Sequence, residues 1–471
     1  MSSAPATAPA DDRTADGELQ TRTMRKVATR LIPVLLLLYV IAYLDRVNVT
    51  FAQDKLESDL GFSGAVYGFG AGIFFIGYFF LEVPSNLALH RFGARKWMAR
   101  IMITWGVISA CTMFVRSPAS FYAVRFLLGI AEAGFFPGMI LYLSYWFPAR
   151  ERAKAVGFFM SAIAISYAIG APLSGAIMSV FDGVAGLSDW QWLFLIEALP
   201  AIAAGFFVLW YLDDGPEHAS WLDGDEKAWL ARRLQGEERA RLRAGRHTVG
   251  QALSDRRVLA FGLLYFCMVV NVYGLSFWVG EIVDNISGLS EVGKGFVTAI
   301  PYTVAIVGLV LISRHSDRTG ERKGHVSVCL AAAAVAFVAS TIVGPVAAVP
   351  ALAVGLFFLL GAHPVFWTMP AALLSGTAAA AGIALINSIG NIGGFVGPYL
   401  VGLVKDATGS TDGGLVALAL ILLGGAVLAT RVVHDRDLER APREEPRFTR
   451  DGAPAGVSRG RRTASGSPSP S

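Results

Sequence analysis

Polar and apolar positions alternate along this chain on the scale of whole segments rather than of helical turns. Apolar stretches of spanning length occupy 31–52, 64–89, 97–115, 119–146, 153–180, 190–211, 258–283, 293–313, 325–344, 350–372, 378–404 and 414–433. Stretches of roughly 20 predominantly apolar residues match the hydrocarbon thickness of a bilayer, so the pattern predicts twelve transmembrane helices. The connections between them are short and polar, except for the charged segment 212–257, which separates six spans from six. Residues 1–20 are polar and hold no apolar core, which predicts an N-tail (1–30) without a cleavable signal peptide. That tail, to about residue 22, and the C-tail (434–471), rich in Arg, Glu, Pro, Ser and Gly, read as disordered.

Composition agrees with this pattern. Of 471 residues, 54% are hydrophobic and only 16% charged, against about 25% in soluble domains, and the mean hydropathy is +0.52. The net charge of +4 becomes informative when sorted by side. With the N-terminus placed in the cytosol, alternation puts 34 of the 40 Lys and Arg on the cytosolic side. Lys55, Arg116, Lys294 and Lys405 fall opposite, and Arg46 and Arg125 lie within spans. This bias predicts both termini in the cytosol of a bacterial inner membrane. The basic clusters then report topology and contact with anionic lipid, which leaves no role for nucleic acid. Cys111, Cys267 and Cys329 fall within spans, with neither a disulfide framework nor metal-ligand spacing. No Ser/His/Asp set, HExxH, paired metal ligands or GxxxxGK(S/T) loop occurs, so neither an enzyme, a cofactor-dependent protein nor an ATP-driven pump is expected.

The chain repeats itself at an offset of 227 residues. HRFGARK (90–96) matches DRTGERK (317–323), Gly134 and Pro137 match Gly361 and Pro364, and Gly170 and Gly175 match Gly397 and Gly402. One constant offset at three loci predicts two six-helix pseudo-repeats in parallel relation: an N-terminal half (31–211), the central loop (212–257) and a C-terminal half (258–433). The repeated loops resemble the hallmark motif of the major facilitator superfamily. Its second copy, with Asp317, Arg318, Gly320 and Arg322, carries Ser313 at the leading Gly position. The first, with Gly93, Arg95 and Lys96, departs further, with Asn86 at that position and His90 in place of Asp. The resemblance implies tight glycine turns whose charges clamp the two halves together on the cytosolic side.

Five further blocks are similar to the anion:cation symporter family, which includes bacterial tartrate, phthalate and sugar-acid permeases. They are YLDRVNV (43–49), LEVPSN (81–86), RFLLGIAEAGFFPG (125–138), YWFPARERAKA (145–155) and ALINSIGNIGGFVGP (384–398). Where relatives often read FWxPQI in span 7, this chain reads Phe277-Trp278-Val279-Gly280-Glu281-Ile282, which adds an acid near the outer end. In span 5 the superfamily antiporters' GxxxGPxxGG pattern is degraded, with Ala171 and Ser174 replacing Pro and Gly. That departure argues against drug/proton exchange.

Charged residues inside spans carry the candidate chemistry, because each costs roughly 2.5–3.5 kcal/mol at a bilayer centre on insertion scales. Arg46 and Arg125 offer planar guanidinium forks suited to carboxylate. The competing reading is a static internal bridge, Arg46 with Glu132 or Arg125 with Asp45. Asp45 and Glu132 are the proton candidates: desolvation pushes a buried carboxyl toward its neutral form, and a neighbouring cation toward its charged form. An anion that competes for the arginine would tip that balance and couple substrate to proton. The resemblance likewise implies anion contact at Arg46 and Arg125 and proton coupling at both acids. Glu82 reads as holding a helix end or pairing with the 90–96 loop, Glu197 as structural, and Glu281 as lying at the water interface. The C-terminal half lacks these charges and offers hydroxyls, amides and rings. Tyr273, Trp278, Trp367, Asn387 and Asn391, with His363 in a span 10 read as broken at Pro364, face Tyr43 and Tyr78 as substrate-contacting candidates. The expectation is a monomeric all-α carrier that couples protons to uptake of a small organic anion by alternating access. An exchanger or exporter of organic anions is the alternative, and a ligand-sensing receptor of the same fold comes third.

Overall fold

The computed structural model describes residues 10–148, 151, 152, 155, 159, 162–243, 255–286, 288–373 and 376–432. It is a bundle of helices in two halves. In the N-terminal half, spans 1 to 6 are α1 (Ala10–Phe51), α3 (Gly64–Phe92), α4 (Ala94–Ala110), α5 (Pro118–Glu132) with α6 (Phe135–Trp146), α7 (Ala162–Phe181) and α8 (Asp189–Tyr211). The short α2 (Gln53–Leu60) follows span 1, and α9 (Gly224–Arg243) lies in the central segment. The C-terminal half continues with α10 (Arg256–Ser276), α11 (Val279–Asp284), α12 (Glu291–Thr319), α13 (Lys323–Ile342), α14 (Pro345–Leu373), α15 (Gly376–Thr408) and α16 (Asp412–Arg431). Among the described residues, ten segments are long and apolar enough by themselves to cross a membrane. With α7 and α15 the spans number twelve, as the apolar pattern predicted. The outward sides carry exposed Leu37, Phe80, Trp210, Ile342, Val346 and Leu420, apolar groups that suit lipid.

The repeat is visible in the packing. Helices α3 and α12 have the same length, 29 residues, and start 227 positions apart. A Cβ on Gly68 of α3 would stand 2.4 Å from the carbonyl oxygen of Pro398 in α15, and one on Gly295 of α12 would stand 2.4 Å from that of Ala171 in α7. Both partners differ by the same 227. Each crossing brings backbones together where no side chain fits, and each joins one half to the other. The halves therefore meet along two symmetry-related seams, α3 with α15 and α7 with α12.

The structure revises four readings. The N-terminal extension is helical from Ala10, continuous with span 1, rather than disordered to residue 22. It lies against α9: Arg22 Nε reaches Glu226 Oε1 at 2.9 Å and Lys26 Nζ reaches it at 3.0 Å. Span 4, read as continuous, is broken between α5 and α6. Span 10, read as broken at Pro364, is the uninterrupted α14, with three prolines inside it. Among the described residues, the gate motifs form no clamp between the halves in this conformation. Gly93 (φ 89°) and Gly320 (φ 65°) make the expected tight turns. Yet the Arg95 backbone N–H and side chain turn to Asp214, just past α8, and Arg322 pairs with Asp317 of its own loop at 2.6 Å.

Candidate functional site

We call the end of the bundle bearing α9 and the α1 extension the tail face, and the opposite end the far face. Contacts between halves concentrate toward the far face. There Thr50 Oγ1 donates to Ser276 O (3.1 Å) and Tyr67 OH to Phe277 O (3.1 Å) across the interface, while Trp278 Nε1 donates to Pro398 O within the C-terminal half (3.0 Å). All four side chains of Thr50, Tyr67, Phe277 and Trp278 are buried. Outside this plug, Lys405 Nζ of α15 bridges Glu57 Oε2 of α2 (2.8 Å) and Glu281 Oε2 of α11 (2.9 Å), and Gln53 Nε2 also donates to Glu281 (2.7 Å). Asp406 accepts from the free N–H groups of Gly64 and Ala65 at the N-terminus of α3, at 2.8 and 2.9 Å. Toward the tail face, residues at the interface between halves are only half-buried: Glu82, Phe136, Tyr265, His363, Trp367 and Asn387. The contacts that join the halves are thus close-packed at the far face, and the residues between the halves toward the tail face are less tightly covered.

Most of the sequence-predicted charges converge just inside the plug. Span 1 presents Asp45 and Arg46 on successive residues, so their side chains diverge by about 100° around the helix axis. Arg46 points to the interface between halves. It pairs with Glu132 of α5, and its Nη1 donates to the hydroxyl of Tyr273, across the interface, at 3.4 Å. Aromatic rings wrap the guanidinium: Tyr43 at 4.8 Å, Phe74 at 5.2 Å and Tyr78 at 5.8 Å to the ring centroids. Tyr43 and Tyr273 hydroxyls lie 3.4 Å apart. Arg46, Glu132, Tyr43, Tyr78 and Tyr273 therefore form one constellation, drawn from both halves, and of the two bridges weighed from sequence the Arg46–Glu132 pair is the one that forms.

Glu132 is the last residue of α5. Ala133 leaves helical geometry and Gly134 adopts φ 83°, a conformation that L side chains rarely adopt. A Cβ on Gly134 would also stand 2.3 Å from Ser85 Oγ of α3. The break ends the helix at the carboxylate, and α6 restarts at Phe135, after two non-helical residues.

Asp45 turns inward, away from the cleft, where Ser109 of α4 donates to it and Asn48 Nδ2 lies at 3.5 Å. Arg125 is 1% exposed and, among the described residues, makes no salt bridge. Its Nη2 reaches only the Ala71 carbonyl, at 3.4 Å, and its Nε has no partner. Enclosed among α1, α3 and α5, it does not reach the cleft in this conformation. Glu197 of α8, read from sequence as structural, is 5% exposed and accepts from Ser174 Oγ at 2.7 Å, so it belongs to the same enclosed cluster as Asp45.

The tail-side cleft gathers the remaining candidates. Asn387 Nδ2 faces Glu82 Oε1 across the seam at 3.5 Å, so Glu82 looks into the other half rather than pairing with the 90–96 loop. Asn391 lies one turn further along α15, half-buried. Trp367 packs on Tyr265 (4.8 Å between centroids), and His363 donates Nδ1 to Leu359 O of its own helix at 2.9 Å. Trp278 is withdrawn from this group into the far-face plug. Among the described residues no set of metal ligands occurs.

Known proteins match this arrangement. The Major Facilitator Superfamily profile matches residues 35–398 and 261–468. A protein of Agrobacterium vitis to which tartrate transport is provisionally ascribed is 49% identical over 417 residues, 88% of this chain and 95% of that one. A quinolone resistance transporter of Acinetobacter baumannii is 43% identical, over 90% of this chain and 97% of its own. The crystal structure of the D-xylose-proton symporter superposes with a TM-score of 0.69 at 15% identity, over 87% of this chain and 99% of that one, a likeness of fold. The chain belongs to the Major Facilitator Superfamily and is a multi-pass membrane transporter rather than an enzyme.

Proposed function

We propose that the protein imports a small organic acid together with a proton across a bacterial inner membrane, as a monomer in lipid with both termini cytosolic. One observation carries the reading: the Arg46 guanidinium, at the interface between halves, is held by a carboxylate on one side and a tyrosine hydroxyl from the other half. An incoming carboxylate finds at Arg46 a planar, charge-assisted donor already desolvated by aromatic rings. Binding there competes with Glu132. A carboxylate that loses its cation in a low-dielectric site is costly, and taking up a proton removes the cost. Anion binding at Arg46 and protonation of Glu132 thereby favour each other. Arg125, which lies beyond the cleft's reach, acts electrostatically on Asp45 and Glu132, and Asp45 passes protons toward the site. Tyr43, Tyr78 and Tyr273 near the guanidinium, and Asn387, Asn391, Trp367 and His363 along the tail-side cleft, suit the hydroxyls or ring of the acid's remainder.

With the tail face cytosolic, the conformation is inward-facing. The far-face bridges then act as the outer gate, and the Arg95 and Asp317–Arg322 loops join the halves only when the inner face closes. The Agrobacterium relative's name supports an organic acid as substrate. The Acinetobacter relative's name favours a second reading, outward movement of an aromatic acid on the same site. Glu132→Gln separates coupling from binding: accumulation driven by a proton gradient is lost, while exchange of labelled for unlabelled substrate continues. Full concentrative uptake by Glu132→Gln would end the coupling role.

A further inference from the structure

The enclosed cluster of the N-terminal half holds two guanidiniums, Arg46 and Arg125, and three carboxyls, Asp45, Glu132 and Glu197. Arg46 is committed to Glu132. No Lys, Arg or His among the described residues forms an ion pair with Glu197, whose neighbours are polar but neutral, or acidic. From α7, Ser174 donates to its Oε1, from α1 come Asp45 and Asn48, and its Oε2 lacks a hydrogen-bond partner. From α4, Ser109 bonds Asp45 on the other side, and from α5 come Arg125 and Glu132. Fully ionised, the cluster would carry one uncompensated negative charge in a site excluded from water. An isolated buried carboxylate is among the most expensive groups a protein can hold, and neutralisation is the usual escape.

We propose that Glu197 is a third proton-exchanging carboxyl, sharing with Asp45 one resident proton that keeps the cluster neutral between transport cycles. The inference rests on the proton-coupled reading above and adds a positioning residue that the span 1 and span 4 motifs do not contain. The geometry places Asn48 between the two carboxyls, where it donates to Asp45 Oδ1 at 3.5 Å, and the unpartnered Oε2 of Glu197 is free to carry the proton. When Asp45 releases its proton toward Glu132, the one carboxyl becomes charged as the other becomes neutral, and no net charge is created. Arg125, whose Nε lacks a hydrogen-bond partner, is available to hold Asp45 when it is the charged member.

The test uses full-length protein in liposomes, with Glu197→Gln and Glu197→Asp beside wild type. Uptake of a carboxylate to which the wild type responds is recorded across pH. Glu197→Gln should retain exchange of labelled substrate but move the alkaline limb of its pH profile to lower pH by on the order of one unit, because Asp45 no longer faces a second carboxyl. Glu197→Asp should restore most of the wild-type profile. A Glu197→Gln profile coinciding with that of the wild type would overturn this inference while leaving the coupled reading intact. Absence of proton movement in the wild type with every carboxylate would overturn both. Infrared difference spectra provide a readout that needs no transport. At neutral pH the wild type should show a protonated-carboxyl band that weakens in Glu197→Gln, and an unchanged band would overturn the inference even if the variant is inactive.

Discussion

Replacing Lys405 by methionine removes the cation that holds Glu57 of one half against Glu281 of the other. The three side chains are 18%, 22% and 17% exposed, between the surface and the interior. Exposed pairs contribute about 0.2–1 kcal/mol, and removing one partner of a buried pair costs about 3–5 kcal/mol. The intermediate burial, together with two carboxylates left facing each other, places the loss at about 1–3 kcal/mol. All of it falls on the far-face-closed state, because Glu57 and Glu281 separate when the halves part there. A coupling of that size moves the equilibrium between closed and open far faces about 5- to 150-fold. Spin labels at Val184 and Asp412, exposed positions on the far face of the two halves, report that equilibrium as two distance populations once Cys111, Cys267 and Cys329 are replaced. Lys405→Met should enrich the longer distance and Lys405→Arg should not. Identical distributions for Lys405→Met and wild type would refute the assignment of this bridge as a gate.

Arg46→Ala should weaken substrate binding about 30-fold or more, since truncating one partner of a buried charge pair costs about 2–5 kcal/mol; calorimetric or fluorescence titration with the carboxylate checks it, and unchanged affinity would return Arg46 to a purely structural bridge. Gly134→Val should lower the melting temperature and expression, because it places a β-branched side chain at φ 83° against Ser85, with a cost of about 1–3 kcal/mol; a melting temperature equal to wild type would contradict the strained break after Glu132.

The architecture was legible because membrane spans are written in runs of apolar residues, and because the 227-residue offset survives at backbone crossings that admit only small residues. Gly68 with Pro398 and Gly295 with Ala171 show why: a side chain at either glycine would collide with a carbonyl. The charged residues of the site were legible too, as rare ions within spans. Their partners were less so. Asp45 and Arg46 are adjacent in sequence, yet one turns into the half and the other to the interface, and that divergence decides their roles. Glu197 passed for structural because Ser174, on another helix, marks its environment only after folding. The far-face bridge was hidden for a similar reason. Lys405 and Glu57 are 348 positions apart, and no periodicity links them. A usable signal was nonetheless present, since three of the four far-face cations, Lys55, Lys294 and Lys405, have acids available in the facing loops. The helical N-terminal extension is not legible in its polar composition, because its order comes from continuity with span 1 and from the acids Asp223 and Glu226 that receive Arg22 and Lys26.

Purified protein in liposomes, with internal pH recorded as hydroxy-, sugar- and aromatic carboxylates are added and neutral sugars serve as controls, tests the central claim most directly. The account predicts acidification of the interior with one class of carboxylate and none with the sugars. Carboxylate uptake with no accompanying proton entry would contradict it.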